Sequence, residues 1–151
     1  IQDLSGGRRI VPAEGERIDT RPVDRTEIVV ERDRLDFIAD KINADRTAAG
    51  VDPLARSQAL DALAEDRAVS MYREGFVARQ RDDRVLEQTR QTPLRLEVAA
   101  EMAALAASDR AAQAAIAQAD GTALKGKDFD RIGVAVVSGP LGILVVEVFG
   151  G

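Results

Sequence analysis

The C-terminal end of the chain constrains its fold more than any other segment. Two β-prone runs, Arg131–Ser138 and Ile143–Phe149, are rich in valine and isoleucine and are joined by the short stretch Ser138–Gly142. A connection of this length and composition is typical of a β-hairpin. Helical patterns precede these runs and none follows them. This order indicates an α+β fold with an antiparallel sheet rather than a series of alternating βαβ units.

Two upstream segments have the periodicity of amphipathic helices, with apolar residues recurring at helical spacing. The first covers residues 33–48, with Asp33 as a predicted N-cap and Gly50 just beyond its end. The second is predicted to begin at a Ser57 cap and to end at Gly75, since glycine readily adopts the left-handed conformation that terminates helices.

The middle of the chain gives a less regular pattern. Residues 76–92 are polar and rich in arginine and aspartate, with few apolar anchors. Residues 94–118 are rich in alanine, the best helix former, and we predict a helix here that breaks near residues 107–109. Pro93 can occupy the first position of this helix behind a Thr92 cap.

The N-terminal part has a different composition from the rest. Glycine and proline interrupt any periodicity before residue 26, and residues 26–31 form a short β-prone run. We interpret residues 1–31 as an extended arm or linker and residues 32–151 as the folded domain. In the alternative interpretation, the arm docks on the domain or on a partner through three apolar residues: Ile10, Val11 and Ile18.

The composition excludes several classes of chemistry. The chain has 151 residues, and none is histidine or cysteine. Ser-His-Asp and Cys-His catalysis, histidine-ligated zinc, disulfides and iron–sulfur clusters are therefore excluded. A net charge of −5 and an aromatic content of 3% argue against a nucleic-acid partner. No apolar run is long enough to span a membrane.

The first residue is Ile1 rather than methionine, and no signal peptide is visible. We interpret the chain as a processed or truncated product, which a leader or membrane anchor could have preceded.

Several other candidate groups have simpler structural explanations. The acids at 82–83 and at 128 and 130 are predicted to be solvated loop residues rather than metal ligands or acid–base groups. The Lys-Gly-Lys sequence at 125–127 lacks the rest of a phosphate-loop pattern, and no serine lies in a nucleophile elbow. Four arginines form a basic cluster that we interpret as pairing with nearby acids rather than with an acidic polymer: Arg79, Arg81, Arg84 and Arg90.

A set of ordered motifs resembles one family. An N-x-x-R-x-x-x-G-x-x-P-L stretch runs from Asn43 to Leu54, and an L-x-x-x-A-x-x-x-A-x-x-M stretch follows from Leu60 to Met71. With Phe129–Val134 and the closing strand, these motifs resemble the CAP superfamily of cysteine-rich secretory, antigen 5 and pathogenesis-related proteins, and its bacterial SCP-like relatives. The resemblance covers about four fifths of the chain. It implies a three-layer α-β-α sandwich around a small antiparallel sheet.

The residues of these motifs also have structural explanations. Asn43 and Arg46 lie near a helix end, where they can hydrogen-bond the connector that turns at Pro53. Leu54 can then fill the gap between helices. Gly133, within a strand, allows a close approach of backbone. We therefore favour structural roles over ligand contact for all five residues.

The chain departs from the family at its cavity, which usually carries two histidines and two acids that bind divalent metal in some members. By resemblance, Arg79 stands at the first histidine position, Thr122 is nearest to the second, and Glu97 matches one acid. The second acid has no clear counterpart. Because arginine and threonine do not replace imidazole as metal ligands, we expect no metal or cofactor here. A surviving cavity would hold an Arg79–Glu97 ion pair or solvent.

The resemblance leads to three functional hypotheses. The first is a non-catalytic binding module of a bacterial secreted or cell-envelope protein, with a protein or cell-wall partner. The second is a carrier of a small lipid or sterol, an activity found in some family members, which requires an apolar groove. The third is a hydrolase that works with carboxylates alone, which requires two acids about 5–10 Å apart in one cleft.

Overall fold

A computed structural model describes residues 9–119 and 126–151 of the chain. The helices in this part are α1 (Leu35–Ala48), α2 (Gln58–Glu74), α3 (Asp82–Thr89) and α4 (Asp109–Ala119). The strands are β1 (Arg17–Asp19), β2 (Val29–Val30), β3 (Ala55–Arg56), β4 (Phe76–Ala78), β5 (Ala99–Ala106), β6 (Arg131–Gly139) and β7 (Gly142–Gly150). No helix among the described residues combines the length and the hydropathy that a membrane crossing requires.

The predicted C-terminal hairpin is confirmed and forms the centre of the main sheet. Strands β6 and β7 pair antiparallel from Arg131↔Gly150 to Gly139↔Gly142. Strand β5 lies antiparallel on the other side of β7, so the main sheet has the order β2-β6-β7-β5, and β3 also pairs with β6. A smaller two-stranded sheet joins β1 to β4. The α+β fold class predicted from the sequence is therefore correct.

Helices cover both faces of the main sheet, because residues that alternate along a strand point to opposite faces. On one face, α2 packs on the sheet through Leu60 and Met71, which share a cluster with Val146. On the other face, α1 and α4 contribute Ile38 and Ile116 to a second cluster. The chain thus forms the three-layer α-β-α sandwich that the sequence led us to expect, with α3 packed against β5.

The prediction of a helix over residues 94–118 is wrong for its first half. Residues 99–106 form β5, and all eight are buried. Alanine favours a helix intrinsically, but here the open edge of β7 supplies a full ladder of hydrogen bonds and both faces of the strand are covered. The predicted break near 107–109 is the turn into α4, where the Ser108 hydroxyl accepts a hydrogen bond from the Ala111 amide at 3.0 Å.

The caps predicted for the first two helices are confirmed, except for Asp33. The Ser57 hydroxyl accepts a hydrogen bond from the Leu60 amide at 3.3 Å, and Gly75 ends α2 with φ +88°. Asp33, however, is not the cap of α1, because a 3₁₀ turn over Arg32–Arg34 leads into the helix. Helix α3 was not predicted, because its polar sequence offers few apolar positions to reveal a helical period.

The described part of the N-terminal segment packs onto the domain. The backbone of Ile10 exchanges two hydrogen bonds of 2.9 Å with Leu105 of β5, and the residue is 5% exposed. Strand β1 pairs with β4, and Ile18 and Val11 pack against the two core clusters. Residues 9–31 therefore contribute one strand to each sheet and several apolar side chains to the core.

Gly133 marks the closest approach of α2 to the sheet. A Cβ atom added there would lie 2.0 Å from the backbone carbonyl carbon of Leu60. Only glycine allows the helix backbone to approach β6 so closely.

We therefore expect Gly133→Ala to lower the free energy of unfolding by roughly 3 kcal/mol or more, since the clash involves backbone that cannot rotate away. Gly50→Ala is the matched control: its φ of +76° disfavours alanine, but no atom lies within 4 Å of the added Cβ. This control should lower the free energy of unfolding by only about 1 kcal/mol. Urea denaturation of both variants measures the difference, and equal costs would contradict the packing described.

A buried acid lies in the central strand of the sheet. Glu147 of β7 is fully buried between Met102 of β5 and Val134 of β6, and its two carboxyl oxygens have no hydrogen-bond partner within the described residues. Gln113 of α4 is likewise buried, and its side-chain amide also has no partner there. Desolvation by burial raises the pKa of Glu147 to about 8.

This raised pKa predicts a pH-dependent stability. The folded chain holds a proton on Glu147 that the unfolded chain releases near pH 4.5, so the free energy of unfolding should fall as pH rises from about 4.5 to about 8. Each unit of pKa difference corresponds to about 1.4 kcal/mol. The absence of histidine leaves this window almost free of other titrations.

Denaturation curves between pH 5 and pH 9 measure this effect. Glu147→Gln should remove the decline, whereas Glu74→Gln, at an exposed position of α2, should retain it. A wild-type stability that stays constant over this range would show that Glu147 is not neutral in the fold.

Candidate functional site

A cavity of about 410 Å³ opens between four segments that are distant in the sequence. This volume lies within the range of small-molecule sites. Its apolar wall consists of Leu86, Val98, Ala99, Ala100 and Phe129. Its polar groups among the described residues are one guanidinium, on Arg79, and five carboxylates, on Glu14, Asp82, Asp83, Glu97 and Asp128.

Arg79 lies at the end of β4 and is held there by the N-terminal segment. Its backbone amide donates to the carbonyl of Glu16 at 3.1 Å, and its carbonyl accepts from the amide of Gly15 at 2.7 Å. The residue is 5% exposed. The N-terminal segment therefore fixes the position of the buried arginine in the cavity wall.

A buried ion pair fixes the residue that follows Arg79. Arg67 of α2 donates two hydrogen bonds of 2.9 Å to the carboxylate of Glu101 in β5. The Glu101 side chain is 1% exposed, and one of its oxygens also accepts the backbone amide of Gln80 at 3.0 Å. Because a buried carboxylate is stable only when it is paired and hydrogen-bonded, these three groups bind α2, β5 and the β4–α3 connection together.

Long-range backbone hydrogen bonds hold two of the cavity acids, Glu14 and Glu97. Glu14 accepts the amide of Asp82 at 3.0 Å, which places a carboxylate at the N-terminal end of α3. Asp82 and Asp83 form the first turn of α3 rather than a loop, and both are exposed. The backbone of Glu97 donates to the carbonyl of Gly151 at 2.7 Å. Both ends of the described chain thus contribute to the cavity.

The residues matched to the family's metal site behave differently from metal ligands. Arg79 and Glu97 line the same cavity, and Thr122 lies outside the described residues. The ion pair between Arg79 and Glu97 stays a prediction. A guanidinium only donates hydrogen bonds and repels cations. Within residues 9–119 and 126–151, no three acidic side chains converge closely enough to hold a metal ion. Of the three matched positions, the described residues thus supply one guanidinium and one carboxylate.

The motif residue Asn43 holds the connector before β3. It exchanges hydrogen bonds of 3.0 and 2.7 Å with the backbone of Leu54, which is buried beside the exposed Pro53.

The motif residue Arg46 contacts the cavity wall from the protein interior. Arg46 is 1% exposed, and its guanidinium donates to the carbonyls of Asp52, Gly126 and Phe129 at 2.7, 3.0 and 3.3 Å. Burial lowers the pKa of Arg46, and nearby Asp52 opposes that shift. Because Gly126 and Phe129 line the cavity, Arg46 supports its wall from behind.

Sequence reasoning missed two parts of the site. Glu101 was read as part of a helix, so its burial between Arg67 and Gln80 could not be foreseen. A period-two reading of residues 99–106 would have shown a strand with one acid on an apolar face. Glu14 was treated as part of the arm, and nothing in its local sequence indicates that it reaches α3.

Comparison with known proteins supports the fold. No protein-family model matches the sequence, and no curated protein matches it. A cysteine-rich secretory protein from Staphylococcus aureus matches with a TM-score of 0.56 and 14% identity over 78% of this chain. This chain spans only 38% of the length of that protein. An outer surface protein from Borrelia burgdorferi matches with a TM-score of 0.67 and 16% identity, covering 82% of this chain and 96% of that protein.

At these identities the likeness shows a shared fold. This chain shares its fold with part of the Staphylococcus aureus protein and with nearly the whole Borrelia burgdorferi protein.

The buried ion pair gives a stability prediction. Arg67→Met should destabilise the fold by about 3–5 kcal/mol, because it leaves the carboxylate of Glu101 buried without its counter-charge. The double variant Arg67→Met/Glu101→Gln should recover most of this loss, since glutamine is neutral and its oxygen can still accept the Gln80 amide. Urea denaturation of the two variants measures their free energies of unfolding. A double variant as unstable as the single one would contradict this account of the pair.

Proposed function

We propose that this chain is a non-catalytic binding module of a bacterial secreted or cell-envelope protein, and that its partner binds at the Arg79 cavity. One observation carries the proposal. The cavity brings together the buried Arg79, at the position that the resemblance gives to one histidine, and Glu97, at the position that it gives to one acid. In this view, the chain keeps the scaffold of the CAP fold and has lost its metal site.

The chemistry of the lining residues favours binding over catalysis. Arginine remains protonated at physiological pH and has no acceptor atom, so Arg79 can orient an anionic or polar group but cannot act as a base or ligate a metal. Asp83 at the mouth is 63% exposed and pairs with the similarly exposed Arg81 at 3.0 Å, and such surface pairs rearrange at little cost. A partner therefore meets a site built for charge recognition.

The balance of charge favours a cationic partner segment. Among the described lining residues, five carboxylates surround one guanidinium, and the whole chain carries a net charge of −5. Acidic surfaces attract basic partners at a distance and lose that attraction as salt increases. The apolar wall, with Leu86 and Phe129, can take the aliphatic stem of a lysine or arginine. We infer that the partner presents a basic segment of a protein or a cationic group of the cell wall.

The proposed location is drawn by analogy with the two structural neighbours. One is a secretory protein and the other an outer surface protein. By analogy with them, we place this chain outside the cytoplasm, secreted or attached to the envelope.

Binding of a fluorescent lysine hexapeptide, followed by anisotropy, tests the proposal. Glu97→Lys and Asp83→Lys should each weaken binding by about tenfold at low salt, since each reverses a charge at the cavity. Asp66→Lys is the matched control, because this exposed acid of α2 lies away from the cavity lining. Equal weakening by all three variants would reduce the interaction to general net charge and overturn the proposed site.

The same carboxylates favour the carboxylate-only hydrolase as a second candidate, because such enzymes need two acids in one cleft. Hydrolysis assays with peptide, ester and glycan substrates distinguish the hydrolase from the binding module. Hydrolysis that Glu97→Ala abolishes would replace the binding proposal with an enzymatic one, whether or not it needs metal. A lipid or sterol carrier would instead reveal itself by a bound lipid in native mass spectra of the purified chain.

A further inference from the structure

The outer edge of β6 is interrupted on the side remote from β7. Strand β3 pairs with residues 131–132 in parallel orientation, and β2 pairs with residues 137–138 in antiparallel orientation. Between them, no strand of the described chain covers residues 133–136. The sheet therefore has a gap of about four residues, or roughly 13 Å, in one of its edges.

Hydrogen bonding in this gap is incomplete. The amide of Val134 donates to the Asp61 carboxylate at 2.8 Å, and the carbonyl of Val136 accepts from the amide of Glu31 at 2.8 Å. The carbonyl of Val134 and the amide of Val136 have no partner in the part of the chain that the structure describes. Both residues are 1% exposed. Residues 9–119 and 126–151 thus leave one acceptor and one donor of β6 without a partner, and an unpaired backbone group is costly when it is buried.

A cavity of about 300 Å³ lies directly beside these two groups. Val134, Ala135 and Val136 form its floor, and Val30 and Leu35 add apolar surface. Arg32 and Glu65 also line it and pair with each other through two hydrogen bonds of 3.0 Å. Since the Arg32 side chain is 73% exposed, this pair can rearrange with little loss when a ligand enters.

We propose that this gap is a second binding site, which takes an extended peptide segment from a partner protein. In a parallel ladder, one residue donates its amide to the carbonyl before the residue opposite and accepts the amide after it. A peptide residue placed opposite Ala135 would therefore bond the Val134 carbonyl and the Val136 amide at once. The segment would run in the direction of β3 and complete the edge, a short form of β-strand addition.

The occupant follows from the groups that need partners. The ligand must supply one donor and one acceptor, spaced as in a single extended residue. The lining residues carry charges of both signs, so the site does not select a ligand of one charge. A peptide backbone satisfies both requirements, whereas a lipid chain or a simple ion leaves the carbonyl or the amide unpaired. The site is separate from the Arg79 cavity, with which it shares no lining residue.

The probe is the capped tripeptide acetyl-Thr-Val-Thr-N-methylamide, titrated at millimolar concentrations into the ¹⁵N-labelled chain. We expect saturable shifts centred on Val134–Val136, with a downfield shift and slower hydrogen exchange at the Val136 amide. Water alone in the gap would give no saturable change, and that result overturns the proposal.

A second peptide and a matched pair of protein variants sharpen the test. N-methylation of the central valine removes the donor for the Val134 carbonyl and should weaken binding by about tenfold or more. Ala62→Phe should also weaken it, because Ala62 is an exposed residue of α2 that lines the gap, whereas Ala48→Phe at the exposed end of α1 should not. Equal binding of the N-methylated peptide would overturn backbone pairing, even if Ala62→Phe failed to fold.

Discussion

The buried pair between Arg67 and Glu101 is the interaction on which the Arg79 cavity depends. A buried carboxylate that carries a charge needs a counter-charge, and Arg67 of α2 reaches the Glu101 carboxylate at 2.9 Å. The same carboxylate holds the amide of Gln80, the residue after Arg79. The helix layer, the sheet and the β4–α3 connection beside the cavity are therefore joined at one point.

The two buried acids of the main sheet, Glu101 and Glu147, have different surroundings. Glu101 faces α2 and remains compatible with a charge, because it has a guanidinium and an amide around it. Glu147 faces the α1 and α4 layer and has neither, so burial alone favours its neutral form. One face of the sheet is thus fixed by a charged network, while the other depends on apolar packing that tolerates a carboxylic acid only with its proton.

The sequence predicted those parts of the fold whose information is local. The hairpin of β6 and β7, the Ser57 cap and the Gly75 stop each depend on a few neighbouring residues, and they were placed correctly. Strand β5 was missed because its alanines favour a helix in isolation, and the opposing ladder comes from β7, more than thirty residues away.

Arg79 and Glu97 line one cavity, which no periodicity in the sequence indicates, and their role as a binding site stays a prediction. The position of Glu14 in the cavity wall and the Arg67–Glu101 pair behind it could not be predicted, because both depend on contacts that span tens of residues. Local patterns thus indicate the scaffold, while the chemistry of the cavity depends on long-range packing.

We propose that the Arg79 cavity recognises a cationic partner group rather than a divalent metal ion. The most direct measurement compares ¹H–¹⁵N spectra of the wild-type chain titrated in parallel with the lysine hexapeptide and with zinc chloride, read at the amides of Glu97–Ala100. The account predicts saturable, salt-sensitive shifts with the peptide and none with zinc. Saturable shifts with zinc, together with no response to the peptide, would contradict it.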